Sequence, residues 1–545
     1  MNRRRHCAFV IGISLFLAPF FSCRANVYAT NIKLNGSLTN SWVAPGYPAQ
    51  ISYILNEPAT LGVQVKICLG TNVIKTLVAT NGQPGALTGS NAFLWDGTDS
   101  HGSNVAQGLY ALQITAGAVG YADWTNITNE GANFEVDYPR GLDVNRNTNS
   151  PYYGRVFVAN DGGSEPVDVF KFNADGNPAD EGEFGTDGYP WAPGNKFSPW
   201  KIAIGANDAV YVNDWSGPGV VLEFNQLIDT NYLIAFARDA YPTNESVNLS
   251  GPFVSGHATN EQLWMVDFEP MSSSLGVLRW DTLPDGSVNF GDTDVSYVIG
   301  TTNSDLGNFP YDVAVTTNGL IYTIECTPGT NEADNRIYCF PQWTNGFAPE
   351  TEALWEIGAG DTNLINASGV AVNASGALVA VAVRGDGAGN VNTFVGGNLS
   401  LFSALDGSLV KRFHYATPFP PTEDEFIDVA WDNVGNVYAL DIEASTCRVY
   451  SPPGTNQATT VCVANIEALS RLQPPQLAQA LMTTNGESFM LEGQSDVTYV
   501  VQLSTNLVDW SDVATNFDSV PDRFISLPTT TDAQDFYRAV ALPNR

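Results

Sequence analysis

Asp312 and Asp428 are the residues of this chain whose placement most invites chemistry. Each follows the entry to an apolar, β-rich run, Pro310-Tyr-Asp-Val-Ala-Val and Phe426-Ile-Asp-Val-Ala-Trp. Carboxylates at two matched places act as metal ligands only if other oxygens converge with them at about 2.3–2.6 Å from a calcium-like ion. They can instead frame a mouth that only binds. Their companions at comparable entries are Arg140, Trp200, Lys201, Phe253, Tyr311, Ser368 and Ile427. The aromatics among them suit stacking on sugar rings or peptide side chains, and a set that differs from entry to entry is what an asymmetric ligand requires.

Other chemistries lack parts. A Ser-His-Asp or Cys-His arrangement has His101, His257 and His414 to draw on once the first residues are set aside. His101 falls in a turn, His257 aligns with the packing residues Ile204, Val315 and Trp431, and His414 falls in an outer strand. There is no Gly-x-Ser-x-Gly elbow. The glycines of Gly385-Asp-Gly-Ala-Gly389 are followed by neither a helix nor a lysine, and no Cys-x-x-Cys pair exists. A recurring polar column of Asn160, Asp214, Asp267, Glu325, Ala382 and Asp441 reads as structural, each acid accepting N–H bonds of a following turn, because one site would not need four copies.

These residues are positioned by a repeat that runs from about 132 to 463 at a spacing of roughly 53 to 60 residues, a period within the propeller range. One column holds Pro139, Pro199, Pro252, Pro310, Ala367 and Phe426. A second holds Phe157, Tyr211, Trp264, Tyr322, Val379 and Tyr438, and small residues Ala203, Gly256, Ala314, Ala371 and Ala430 stand between. Each copy opens as a β-hairpin, continues with a third strand (167–172, 220–224, 277–280, 336–340, 398–402, 447–450) and often a fourth (232–237, 295–300, 458–463). A lone four-stranded unit exposes both faces, and radial repetition covers them, so six copies predict a closed six-bladed β-propeller with small residues crowded near its axis.

The repeat resembles the NHL and gluconolactonase-like six-bladed propellers, on Tyr138-Pro139-Arg140-Gly141-Leu142-Asp143-Val144 and Val210-Tyr211-Val212-Asn213-Asp214. That resemblance implies a ligand-binding channel mouth and, in gluconolactonases, a divalent cation held there, for which Asp312 and Asp428 are the candidates. The chain has no counterpart of that family's Pro-Asn-Gly motif and no early Glu-x-Pro. Residues 30–117, with Trp95-Asp96-Gly97 and Gly108-Leu109-Tyr110, resemble the Ig-like domain of the flagellar hook-capping (FlgD) family, in which Trp95 packs and Asp96 and Asp99 set turns. Residues 481–545, with Tyr499-Val-Val-Gln-Leu-Ser-Thr-Asn-Leu-Val-Asp-Trp510 and Phe536-Tyr-Arg, are similar to a C-terminal β-domain of verrucomicrobial and planctomycete exported proteins, which implies a sorting or surface-retention module.

The fold class expected is therefore all-β: an N-terminal Ig-like β-sandwich, a linker at 118–131, a six-bladed propeller at 132–466, a linker at 467–480 and a small C-terminal β-domain. With 24 Lys+Arg against 57 Asp+Glu, the net charge of −33 opposes nucleic acid and anionic lipid as partners. Arg3-Arg-Arg-His6 followed by an apolar run to Phe21 reads as a signal peptide over about 1–29, and no later segment is long and apolar enough to span a bilayer. Of the seven cysteines, Cys7 and Cys23 fall in that segment. Cys447 and Cys462, flanking Pro452-Pro453-Gly454, form a disulfide candidate for an oxidising compartment.

These features describe an exported, surface-associated binding protein that takes a glycan, a protein ligand or an envelope component at the propeller mouth. The sequence points to binding over catalysis, with no required cofactor and calcium as an option. The alternative is a metal-assisted lactone hydrolase or lyase on the same mouth. Mass spectrometry of the exported protein should place its N-terminus between Ala25 and Thr30, and retention of Met1 or lipidation at Cys23 would contradict the signal reading.

Overall fold

The computed structural model describes residues 26–38, 48–105, 110–128, 134–162, 167–179, 191, 199–214, 220–228, 232–236, 249–256, 260–267, 276–283, 289–290, 295–300, 306, 309–326, 335–343, 352–358, 362–385, 396–413, 425–454, 457–466, 476–483, 486–492, 497–518, 523–527 and 536–542. His257 and His414, residues 1–25 of the expected signal region and Gly108-Leu109 lie outside them, whereas the last four residues of that region, 26–29, are buried in the fold, which fits removal after Ala25 and not after Ala29. The protein is all-β: a six-bladed propeller flanked by an N-terminal Ig-like sandwich and a small C-terminal β-domain.

Six strands line the axis: Pro139–Val144, Ile202–Ile204, Leu249–Ser255, Pro310–Val315, Ala367–Val372 and Phe426–Trp431, each against the next and the last against the first. Blades two to five are each a consecutive four-stranded antiparallel sheet, while blade one has three strands among the described residues. Neighbouring blades bury apolar faces between them. Phe157, Val210, Val212 and Leu222 form one such core and Ala380, Leu399, Val429 and Trp431 another. Full burial of a side chain such as Phe157 contributes roughly 1.5–3 kcal/mol, so the ring is held by many modest terms.

Two copies sit in a different register from the one their sequence suggests. In blade three Leu249 pairs with Asp267 and Phe253 with Trp264, so Phe253 and not Gly256 faces the tryptophan. In blade five Ala371 lies opposite Ala380 and not Val379, and Val383 takes the place expected of Ala382. A proline in one copy and an unbroken Val-Ala alternation in the other leave such one-to-three residue slips undetermined, and packing against the adjoining blades decides them.

Ring closure also differs from expectation. The sixth blade takes its fourth strand from Thr125–Asn126, ahead of the first blade, and Trp124 wedges edge-on against Phe413 and Trp431 at 5.9 and 6.1 Å. Gln457–Ile466, which contains the expected fourth strand 458–463, instead pairs along Tyr110–Ala118 of the sandwich, in the order Gln457–Ile466, Tyr110–Ala118, Gly62–Leu69, Asn72–Ala79. This removes the disulfide candidate: Cys447 is buried in the sixth blade, Cys462 stands in the sandwich sheet, and both are free thiols.

The opposite sandwich sheet is Ala29–Leu34, Ala49–Leu55, Gly89–Trp95. Trp95 is buried against Tyr110, and Asp96 and Asp99 accept bonds from Thr98, Lys75, His101 and Ser103, so they set turns. The C-terminal domain is two three-stranded sheets whose first strand begins at Gln476, inside the expected linker. Its two sequence motifs meet where Arg538 lies over Trp510 at 4.1 Å.

A chain ending at residue 466 should keep the thermal transition of sandwich and propeller intact. One ending at residue 454 loses the strand paired to Tyr110–Ala118 and should unfold at lower temperature with the sandwich destabilised, as differential scanning calorimetry would register.

Candidate functional site

Five of the six axial strands carry a bulge at the entry, with register shifts between Pro139 and Gly141, Ser250 and Phe253, Pro310 and Asp312, Ala367 and Gly369, and Phe426 and Asp428. A bulge inserts an unpaired residue and re-aims the side chains beside it. Two layers of side chains result. At the entry stand Arg140, Trp200, Ser250, Tyr311, Ser368 and Ile427, and one residue deeper stand Gly141, Lys201, Gly251, Asp312, Gly369 and Asp428.

The deeper layer alternates glycine with a charge, and its geometry explains why. Lys201 crosses the axis and donates to Asp428 Oδ1 at 2.6 Å, to the Ser368 carbonyl at 2.8 Å and to Asp312 Oδ2 at 3.4 Å. Each aspartate also fastens the next blade: Asp428 Oδ2 accepts the Leu142 N–H and Asp312 Oδ2 the Val370 N–H. The intervening blades must approach these groups closely. A Cβ at Gly141 would lie 2.4 Å from the Trp200 carbonyl, at Gly251 2.3 Å from Asp312 Oδ1 and at Gly369 2.6 Å from Asp428 Oδ1, so only glycine fits.

Lys201, Asp312 and Asp428 are all buried, with one positive charge for two negative ones. Burial pushes both carboxyls up against the pull of the Lys201 ammonium, and the Asp312 charge adds to the rise at Asp428. The Lys201 pKa is raised because the two carboxylates more than offset its own desolvation. The resemblance to gluconolactonases read from the sequence implies a divalent ion at these acids, and the residues present do not fit one, because an ammonium already lies between the two carboxylates. Among the described residues no three His, Cys, Asp or Glu side chains are grouped to hold a metal ion.

On the exit side of this plug is a cavity of about 50 Å³, lined by Lys201, Asp312 and Asp428 themselves and by Phe253 and the axial alanines. Asp143 and Arg146, three residues apart in blade one, pair at its wall at 3.0 Å, and Asp143 also accepts the Ile204 N–H. Phe253, expected at the mouth, therefore lines the opposite compartment, because its strand starts three residues earlier than its proline suggests. Its place at the mouth belongs to Ser250.

At the mouth, the Arg140 guanidinium lies 5.1 Å over Trp200 and 5.9 Å over Tyr138, and pairs with Asp161 at 3.1 Å. Ser368 donates its hydroxyl to the Phe426 carbonyl, and Ile427 is absorbed into the core between blades six and one. Ser250 Oγ and Asn213 Oδ1 are buried without a hydrogen-bond partner among the described residues. The polar column of the second strands is buried and structural: Asp441 accepts the Ala444 N–H and pairs with Arg448, Asn160 accepts the Tyr138 N–H, and Glu325 accepts the Tyr338 hydroxyl. Sequence reasoning missed Gly141, Gly251, Gly369, Ser250 and Asp143. The alternation of glycine with charge would have revealed the first three had Pro252 not masked the third copy's register.

Sheet order and the closed ring define a six-bladed propeller. No protein-family model matches the chain, and no curated protein sequence matches it. Among solved structures it is similar to the iodide structure of a Trichoderma reesei family AA12 carbohydrate-active enzyme (11% identity, TM-score 0.37, 65% of this chain and 100% of that chain). It is also similar to the Dos1 propeller (9%, 0.32, 79% and 99%) and to Sqt1 of Saccharomyces cerevisiae (9%, 0.29, 66% and 94%). At such identities no activity carries over.

Replacing Lys201 by Met strands two buried carboxylates and should cost about 3–5 kcal/mol. Carboxyls whose folded pKa is raised stabilise the fold at low pH and lose that contribution as pH rises through the folded value, so the deficit of Lys201→Met against the parent should shrink on acidification. Thermal melts of both proteins across the acidic-to-neutral range would measure it.

Proposed function

We propose that this chain is an exported, surface-associated binding protein that takes a glycan or protein ligand at the entry mouth of its propeller channel. In this reading the sandwich is a hook-capping-type spacer, the propeller is NHL-like and the C-terminal β-domain is the surface-retention or interaction module. The observation that carries it is the entry layer. The six entries carry six dissimilar residues, among them Arg140 stacked on Trp200, and the buried Ser250 Oγ and Asn213 Oδ1 are left without partners among the described residues. Buried polar atoms without partners cost free energy that a ligand hydroxyl or amide would recover. Tyr138, 48% exposed beside Arg140, offers an accessible ring at the rim.

The plug supports binding over metal-assisted hydrolysis, since both candidate carboxylates are committed to Lys201 and to backbone N–H groups. Such a plug asks for no cofactor. Calcium dependence would be a departure from this reading.

The test is a glycan microarray probed with the full chain, followed by calorimetry on any oligosaccharide captured. Ser250→Ala and Tyr138→Ala should keep the melting temperature and weaken binding about tenfold or more, as expected for loss of a buried hydrogen bond or a stacking ring. Binding unchanged in both variants would refute the mouth as the site. Calcium-dependent lactone hydrolysis lost in both Asp312→Asn and Asp428→Asn would establish the enzyme instead.

A further inference from the structure

We propose that Glu57 is a pH-operated latch between sandwich and propeller, holding the two together while its carboxyl is protonated and loosening the joint when it ionises. Glu57 follows the sandwich strand Ala49–Leu55 and is 3% exposed. Its Oε2 accepts the Tyr121 hydroxyl at 2.8 Å, and Oε1 has no hydrogen-bond partner among the described residues. The Ser451 hydroxyl of blade six lies within polar reach, but donates to Asn436 Oδ1 at 2.9 Å. The charged group facing Glu57 is a second carboxylate, Asp432, also of blade six.

The two acids are not equally prepared for charge. Asp432 accepts the N–H groups of Val434, Gly435 and Asn436 and the Asn436 side-chain amide, so four donors support its ionised form. Glu57 has one donor and no cation. A buried carboxylate so poorly supported is more stable neutral, where its own O–H becomes a donor. Burial accordingly pushes Glu57 up to about 7, the Asp432 charge adding to the rise and the Tyr121 bond opposing it.

Its surroundings make this a joint. Asn56, next in sequence, accepts the Tyr28 N–H and donates to the Asn26 carbonyl, while the Asn26 amide donates to Ser451 and Asn436 donates to the same carbonyl. The Tyr28 hydroxyl meets that of Tyr438 at 3.1 Å and its ring packs on Tyr153, two tyrosines from blades six and one. Tyr28, Tyr153 and Tyr438 have pKa values raised by burial, so all stay neutral; burial also pushes Asp432 up to about 6 against its four donors, so Glu57, with one donor, is the last acid of this seam to ionise. With its folded pKa above the ordinary 4.5, the contribution of Glu57 is full below about 4.5 and is lost as pH rises through about 7.

Hydrogen exchange of the full chain, corrected for intrinsic rates and compared at about pH 5.5 and about pH 8.5, tests this locally. The Tyr28 and Gly454 amides, which bond Asn56 and Tyr121, should lose at least about tenfold protection at the higher pH relative to the blade-five strand Leu378–Gly385. Glu57→Gln should stay protected and lose the part of that dependence centred near pH 7, leaving only what Asp432 contributes near pH 6. Tyr121→Phe, which removes the bond favouring the charged form, should move the midpoint to higher pH. Protection independent of pH in the parent, an unchanged dependence in Glu57→Gln, or an unmoved midpoint in Tyr121→Phe would each overturn the latch.

Discussion

One ammonium on the propeller axis governs the rest of the ring. Lys201 satisfies two carboxylates and a carbonyl from three other strands, and the carboxylates in turn take N–H groups from blades one and five. Three of six blades thus send charge to the axis while the three between them contribute glycine, because there is no room for a Cβ beside the charged groups. A buried ion cluster of this kind is a weak source of net stability but penalises any arrangement that breaks it. Its value here is positional: it sets the depth and order of six strands that are otherwise nearly interchangeable.

The plug also decides what the channel can do. It separates an entry layer of dissimilar residues from a cavity lined by the plug's own Lys201, Asp312 and Asp428 together with alanines and valines of the axial strands. Both aspartates are bonded to Lys201 and to the backbone N–H of a neighbouring blade. A bulge recurring in five of the six entries re-aims the side chains there, so that the blades place different residues at equivalent positions.

The propeller and sandwich are interleaved in the chain. Thr125–Asn126 closes the sixth blade before the first begins, and Gln457–Ile466 leaves the last blade to extend the sandwich sheet. The two bodies are therefore joined by strand pairing at both crossings as well as by the polar seam around Asn26, Asn56 and Ser451. A joint built this way can loosen at its buried acid without either body coming apart.

The sequence by itself determined the class and count of the blades, since a hairpin pattern recurring at propeller spacing reports local strand pairing, and local pairing is written in neighbouring residues. Arg336–Phe340 and Val167–Phe172 lie where their alternation places them. It also singled out Lys201, Asp312 and Asp428 as unusual among apolar entries. What it could not supply was their relation, because partners 111 and 227 residues apart meet only when the ring closes. The registers of blades three and five, and with them the exchange of Phe253 for Ser250 at the mouth, were settled by packing against neighbours. The last crossing was decided likewise: Gln457–Ile466 alternates equally well as a propeller strand or a sandwich strand, and only the tertiary structure shows that Thr125–Asn126 had already taken its place in the blade.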